Sequence, residues 1–76
     1  MPDQLVQRET REKIQQAFRG LPAKLQVAAT LALVEERPYD EIADALGTSA
    51  SAVKLRVFRA VRILRKRLKQ LGVSPE

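Results

Sequence analysis

Apolar residues in the last third of the chain recur every three or four positions, and no stretch of the sequence shows the strict alternation of a strand. Between residues 50 and 71 this spacing places the apolar residues in one stripe along a helix of about six turns. The stripe consists of Val53, Val57, Ala60, Val61, Leu64, Leu68 and Leu71. Because such a stripe must pack against other helices, the spacing predicts an all-α fold.

Three shorter helices are expected before it, at about residues 4–19, 23–36 and 38–46. Asp3 is the candidate N-cap of the first helix, and Gly20 ends it. Pro22 and Pro38 lie at or near the first positions of the next two helices, where a proline is well tolerated. The second helix is expected to carry a broad apolar stripe of Leu25, Val27, Ala28, Leu31 and Val34. We therefore expect a single four-helix domain over residues 1–76.

The junction between the last two helices is the most informative turn. Gly47 supplies a left-handed residue that ends the third helix. Ser49, or less favourably Thr48, caps the fourth. A short helix, a turn that contains glycine and a longer helix form a helix-turn-helix unit. The fourth helix, over residues 50–71, is then the recognition helix, and Gly72 and Pro75 close it.

Charge is concentrated in this same helix. Residues 49–71 hold eight lysines and arginines and no acidic residue. Residues 1–48 hold six basic and eight acidic side chains, so that part is nearly balanced. Because a solvated helix face normally mixes both signs, the one-sided excess favours a polyanionic partner such as nucleic acid.

Composition excludes several other classes of function. The 76 residues include no cysteine and no histidine, so zinc sites, disulfides and histidine-based catalysis are not expected. Asp40, Glu41 and Asp44 resemble a carboxylate cluster for metal binding or acid–base catalysis, but helix-start charge accounts for the first two and no histidine is present as a partner. No apolar run is long enough to span a membrane. We expect a cytoplasmic protein that is not an enzyme and needs no cofactor.

Position along the recognition helix separates two kinds of DNA contact, because residues near its start reach base edges and later residues meet the backbone. The candidates for base readout are Ser51, Ala52, Lys54, Leu55, Phe58 and Arg59. The candidates for phosphate contact are Lys24, Tyr39, Ser49, Arg56, Arg62, Arg65 and Lys66.

Three of these residues have competing interpretations. Leu55 and Phe58 point outward on a helical wheel, either as ordinary exposed apolar residues or as contacts to thymine methyl groups and base edges. Tyr39 either donates its hydroxyl to a phosphate or packs its ring over the turn into the core.

Several short motifs occur in a characteristic order. They are Leu21-Pro22, Tyr39-Asp40-Glu41-Ile42-Ala43, Leu46-Gly47, Val53-Lys54, Phe58-Arg59-Ala60 and Leu64-Arg65. Together they resemble region 4 of extracytoplasmic-function sigma factors, over about residues 20–68. The family's Ser before Tyr is Pro38 here, its Gly-Thr before Val is Ser51-Ala52, its Ser after Lys is Leu55, and the second Arg of its R-A-R is Val61.

The resemblance implies a role in transcription initiation. Region 4 of these proteins reads the −35 promoter element through its recognition helix and docks on the β flap of RNA polymerase. An anti-sigma factor commonly covers the same surface. Because region 2 is absent from these residues, the chain is expected to bind DNA without initiating transcription by itself. The departures at base-reading positions leave the promoter sequence open.

Two alternatives remain at this stage. Outward-facing Leu55 and Phe58 also fit a module that mainly binds polymerase or an anti-sigma factor. The motif around Ile42 also occurs in DNA-binding domains of two-component and quorum-type regulators, which usually dimerise through their last helix. Here the cationic end of the last helix would repel a parallel copy, so a monomer is expected.

Overall fold

The computed structural model describes the backbone of residues 2–73 and the side chains of residues 7–73. This part of the chain contains no strand, and the all-α, four-helix prediction is confirmed. The helices are α1 (Pro2–Arg19), α2 (Ala23–Ala29), α3 (Tyr39–Leu46) and α4 (Ala50–Gln70), with a wider helical turn at Thr30–Val34 after α2.

The core consists of two apolar clusters that share α4. The first joins the end of α1 to the distal half of α4; its buried residues are Ala17, Leu21, Ala29, Ala60 and Leu64. The second joins α2 and α3 to the proximal half of α4; its buried residues are Ala28, Ile42, Ala43, Val53 and Val57. Val53, Val57, Ala60 and Leu64 of the predicted stripe are therefore confirmed as the seam of the fold. Val61 and Leu68 pack against it partly buried, and Leu71 belongs to neither cluster.

Small side chains allow α2 and α4 to approach closely. Ala28 and Ala29 are fully buried, and they belong to different clusters, so adjacent residues of α2 connect the two halves of the core. Ala60 of α4 is equally buried. The larger buried side chains of the two clusters contribute more to stability than these alanines. Burial of a valine or isoleucine such as Val53 or Ile42 contributes about 1.5–3 kcal/mol.

The turn between α3 and α4 has the predicted chemistry. Gly47 is left-handed (φ 67°, ψ 39°), and the amide of Thr48 donates to the carbonyl of Ala43 at 2.9 Å. This pattern is a Schellman ending, which satisfies carbonyls that the helix leaves free. Ser49 then caps α4, its Oγ accepting from the amide of Ala52 at 3.1 Å. Both predictions, the glycine stop and the serine cap, are confirmed.

The far end of α4 closes in the same way. Gly72 is left-handed (φ 83°), and the amide of Val73 donates to the carbonyl of Leu68 at 2.7 Å. The last residue of α4 is Gln70, one residue before the predicted end at Leu71, and Leu71 is the C-cap. Gly72 therefore ends α4 as the sequence predicted, and Pro75, the other predicted closing residue, lies outside the described residues.

The prediction of a regular second helix over residues 23–36 is wrong at its end. After Ala29 the helix widens, and the amide of Glu35 reaches the carbonyl five residues back, on Thr30, at 3.0 Å. Glu36 then turns left-handed (φ 55°), and Arg37 precedes a proline, a position that disfavours the helical conformation. As a result Val34 is largely exposed instead of completing an apolar stripe.

Two smaller predictions about helix starts also need correction. Helix α1 begins at Pro2, so Asp3 lies inside its first turn and is not the N-cap. Proline suits this position because it lacks the amide hydrogen that the first turn would leave unbonded. Pro22 and Pro38 occupy the N-cap positions of α2 and α3, and neither offers a capping side chain.

We expect Gly47→Ala to lower the free energy of unfolding by about 1–2 kcal/mol, because an L side chain strains the left-handed backbone. An added Cβ would have no atom within 4 Å, so the loss arises from the backbone alone. Gly47→Asn should lose less, since asparagine tolerates this conformation. Urea unfolding followed by circular dichroism measures both; an alanine variant as stable as the parent would contradict the assigned turn.

Candidate nucleic-acid interface

The core clusters fix the rotation of α4 about its own axis. Val53, Val57, Ala60 and Leu64 are buried, so the opposite side of the helix faces outward. Of the eight cationic residues, Arg56 is half-buried, and the others are exposed: Lys54, Arg59, Arg62, Arg65, Lys66, Arg67 and Lys69. We call the outward side of α4, which carries Lys54, Arg59, Arg62, Arg65, Lys66 and Lys69, the basic face. The cations lie on this side because the apolar residues of α4 occupy the side that packs against the core.

No carboxylate neutralises the basic face within residues 7–73. The ion pairs in this part of the chain all belong to Arg37, whose Nε lies 2.9 Å from Oε1 of Glu35 and whose Nη1 lies 2.8 Å from Oε1 of Glu41. These hydrogen bonds raise the pKa of Arg37, with Glu35 the larger contributor. The α4 cations thus carry uncompensated positive charge, which attracts a polyanion over a distance of about a Debye length.

The first turns of α4 present the predicted readout residues together. Ser51, Lys54, Leu55 and Arg59 are exposed there, and Phe58 projects among them with 62% of its surface accessible. Ala52 differs, because it is half-buried and its amide is engaged by the Ser49 cap. The outward direction that the helical wheel gave Leu55 and Phe58 is confirmed, and Leu55 is 47% exposed.

Further along α4, three cations line one groove against α2. Arg59, Arg62 and Lys66 form its charged wall, and Leu25 and Ile63 supply apolar surface in a volume of about 330 Å³. Arg62 and Lys66, both candidates for phosphate contact, thus lie beside Arg59, a candidate for base readout. Arg62 and Lys66, about one turn apart on α4, suit contact with successive phosphates.

A second basic site combines residues that are far apart in sequence. Lys24 near the start of α2 and Arg56 of α4 line one pocket of about 360 Å³, together with Ala23, Val27 and Leu46. Two like charges lie at this pocket, and neither forms an ion pair within the described side chains. Both were predicted separately as phosphate contacts, but their convergence depends on the packing of α2 against α4, which the sequence pattern did not show.

The remaining candidates lie apart from these sites or have other roles. Ser49 uses its Oγ to cap α4. Tyr39 begins α3, is 37% exposed and belongs to neither core cluster, which disagrees with its interpretation as a core residue. Arg65 is exposed on α4 but lines neither basic pocket. Arg67, not a candidate, lies against the turn after α1: a methyl group on Gly20 would come within 2.7 Å of its Nη1.

An apolar surface on α2 was missed by the sequence analysis. Val27 is 45% exposed and borders a shallow pocket of about 400 Å³. The other residues that line it are Ala23, Gln26, Thr30 and Leu31. We call this pocket the α2 patch. Helical spacing assigned Val27 to the buried stripe, and only the position of α4 shows that it faces outward.

Two of the three acidic residues of α3, Asp40 and Glu41, have structural partners. The carboxylate of Asp40 accepts from the amide of Glu41 at 3.0 Å, and the carboxylate of Glu41 pairs with Arg37. Within the described residues, no group of three potential ligands is arranged to hold a metal ion. In that same part of the chain, every helix is too short or too polar to cross a membrane.

Comparison with known proteins agrees with this geometry. No curated protein matches the sequence. Residues 11–64, well over half of the chain, match the family described as Sigma-70, region 4, and they include α2, α3 and most of α4. This is a family of helix-turn-helix DNA-binding domains of transcription factors and not a known family of enzymes. The chain therefore belongs to the sigma-70 region 4 family, whose members bind promoter DNA in transcription initiation.

Proposed function

We propose that the chain recognises the −35 promoter element as duplex DNA, with α4 as the recognition helix, in the manner of an extracytoplasmic-function sigma factor. The observation that carries the proposal is the basic face, whose cations have no carboxylate partner within residues 7–73. A helix with its side chains is about 10–12 Å across and fits the major groove, which is about 12 Å wide.

The two halves of α4 have different roles in this proposal. Near the Ser49 cap, the side chains of Lys54, Leu55, Phe58 and Arg59 meet base edges and determine the sequence that is bound. Farther along, Arg62 and Lys66 meet phosphates, and so does the pocket formed by Lys24 and Arg56. Phosphate contacts then supply most of the affinity, and base contacts supply the specificity. Tyr39, Ser49 and Arg65 remain proposed phosphate contacts at the margin of this surface.

The α2 patch is the proposed contact for RNA polymerase, at the β flap. Family membership supports interaction with polymerase. Val27 supports this location, because an exposed valine beside an apolar pocket offers an anchor for a partner side chain. An anti-sigma factor is a further proposed partner, one that covers the basic face and competes with DNA.

We also propose that residues 1–76 form one DNA-binding domain, which acts as a monomer in the cytoplasm. The charge of α4 supports the monomer, because its distal cations would repel a parallel copy at close range. The family match favours this proposal over a two-component or quorum-type regulator.

We expect DNA affinity to fall steeply with salt. If about five phosphates are contacted, log K should decrease with log salt at a slope of about −4 to −5. Fluorescence anisotropy of a labelled duplex at several salt concentrations measures the slope. Binding to a promoter duplex with no dependence on salt would contradict an electrostatic interface on α4.

We expect Arg59→Ala and Lys66→Ala to weaken binding in different ways. Arg59 lies among the readout residues, so its loss should cost about 1–3 kcal/mol on the cognate duplex and relax specificity. Lys66 lies two turns later, so its loss should weaken all sequences alike and reduce the salt slope by about 1.

Arg37→Ala is the matched control for both variants, because Glu35 and Glu41 already neutralise this arginine. It should leave affinity and slope nearly unchanged in the same anisotropy titrations. Equal loss on cognate and scrambled DNA for Arg59→Ala would show that Arg59 does not read bases.

We expect Val27→Gln to weaken binding to polymerase by about tenfold, since it removes one apolar anchor from the α2 patch. Binding of a β flap fragment, measured by calorimetry, tests this. Ile14→Gln is the matched control, because Ile14 is also a partly exposed apolar residue but lies on α1. If both variants bound the flap like the parent, polymerase would have to dock elsewhere.

A further inference from the structure

The centre of the basic face is apolar. Leu55 and Phe58 are three residues apart on α4, and Phe58 has a larger exposed fraction than Tyr39 and Leu55, the other exposed large apolar residues of α3 and α4. Lys54 and Arg59 flank them along the chain. Solvation explains the cations of such a surface but not an aromatic ring placed among them, because exposing large apolar area to water is unfavourable.

The occupant of this surface must combine negative charge with small apolar groups. Duplex DNA does so in its major groove, where phosphates line the rim and the 5-methyl group of thymine projects from the floor. A protein partner would need an apolar side chain surrounded by acidic residues, because the cations of α4 have no carboxylate partner within residues 7–73. Charge complementarity thus favours DNA as the occupant.

The spacing of the two side chains also fits base pairs. Three residues of α-helix advance about 4.5 Å, and the two positions differ by about 60° around the axis. Stacked bases advance about 3.4 Å along each strand. The two side chains can therefore reach methyl groups on neighbouring or next-neighbouring base pairs, while Arg59 lies close enough to contact a guanine beside them.

We propose that Leu55 and Phe58 recognise thymine by its 5-methyl group, so that the bound site contains one or two thymines next to a guanine contacted by Arg59. The inference rests on the proposed function, and it specifies the class of DNA sequence that α4 selects. It makes Phe58 a specificity-determining residue whose contact is apolar.

The test begins with a duplex selected by the 76-residue chain from a randomised library. Each thymine is then replaced in turn by deoxyuridine, which removes only the methyl group. At one or two positions we expect about fourfold weaker binding, the value of one buried methyl group. Phe58→Ala should bind the thymine and deoxyuridine duplexes equally at one of these positions, and Leu55→Ala should do so at the other.

Two control variants make the result specific. Lys66→Ala should weaken both duplexes but keep their ratio, because its contact is a phosphate. Val34→Ala, which truncates an equally exposed apolar residue outside α4, should change neither affinity nor ratio. Since Phe58 is mostly exposed, its truncation should leave the thermal unfolding midpoint nearly unchanged, so a change in ratio would not reflect unfolding.

The outcomes separate this inference from the proposed function. Sequence-selective binding that is insensitive to deoxyuridine at every position would overturn methyl recognition and leave DNA recognition intact. The same holds if Phe58→Ala and Leu55→Ala keep the parent's ratios, or if Phe58→Ala loses a protein partner while its DNA binding is unchanged. A library that yields no enriched sequence would overturn both.

Discussion

Burial of one apolar seam on α4 determines the arrangement of nearly everything else in this protein. Val53 and Val57 hold its first half against α2 and α3, and Ala60 and Leu64 hold its second half against α1 and α2. Rotating α4 by even one residue, about 100°, would expose these side chains and bring cations into the core. Because an unpaired charge is costly to bury, the seam and the basic face stabilise a single orientation.

In the proposed function, that orientation of α4 lets a small domain combine affinity for DNA with selectivity for its sequence. The cations are spread along the outward side of α4, and α2 adds Lys24 beside Arg56. We therefore propose that long-range attraction comes from a surface that spans two helices, and that readout is confined to the few residues after the Ser49 cap. In this proposal Leu55 and Phe58 add a form of recognition that charge cannot supply, since phosphates are the same in every sequence.

Much of this architecture could be predicted from local sequence. Gly47 and Ser49 specify the turn because a left-handed glycine and a capping hydroxyl act on their immediate neighbours. The basic face could be predicted because helical spacing relates each residue to the seam. The end of α2 could not, because residues 30–34 contain no glycine or proline that would signal the wider turn, and the left-handed residue that follows is Glu36 and not a glycine. Exposure of Val27 and the meeting of Lys24 with Arg56 likewise depend on tertiary packing.

The central claim is that the outward side of α4 meets DNA. The chain has no cysteine, so single cysteines can be introduced and their reaction with a thiol reagent followed with and without duplex. Cysteines at Ser51, Leu55 and Arg62 should react quickly in the free protein and be protected by DNA. A cysteine at Val57 should react slowly in both states, and one at Gln16 on α1 should react quickly in both. Protection of Gln16→Cys without protection of the α4 positions, or fast reaction of Val57→Cys, would contradict the account.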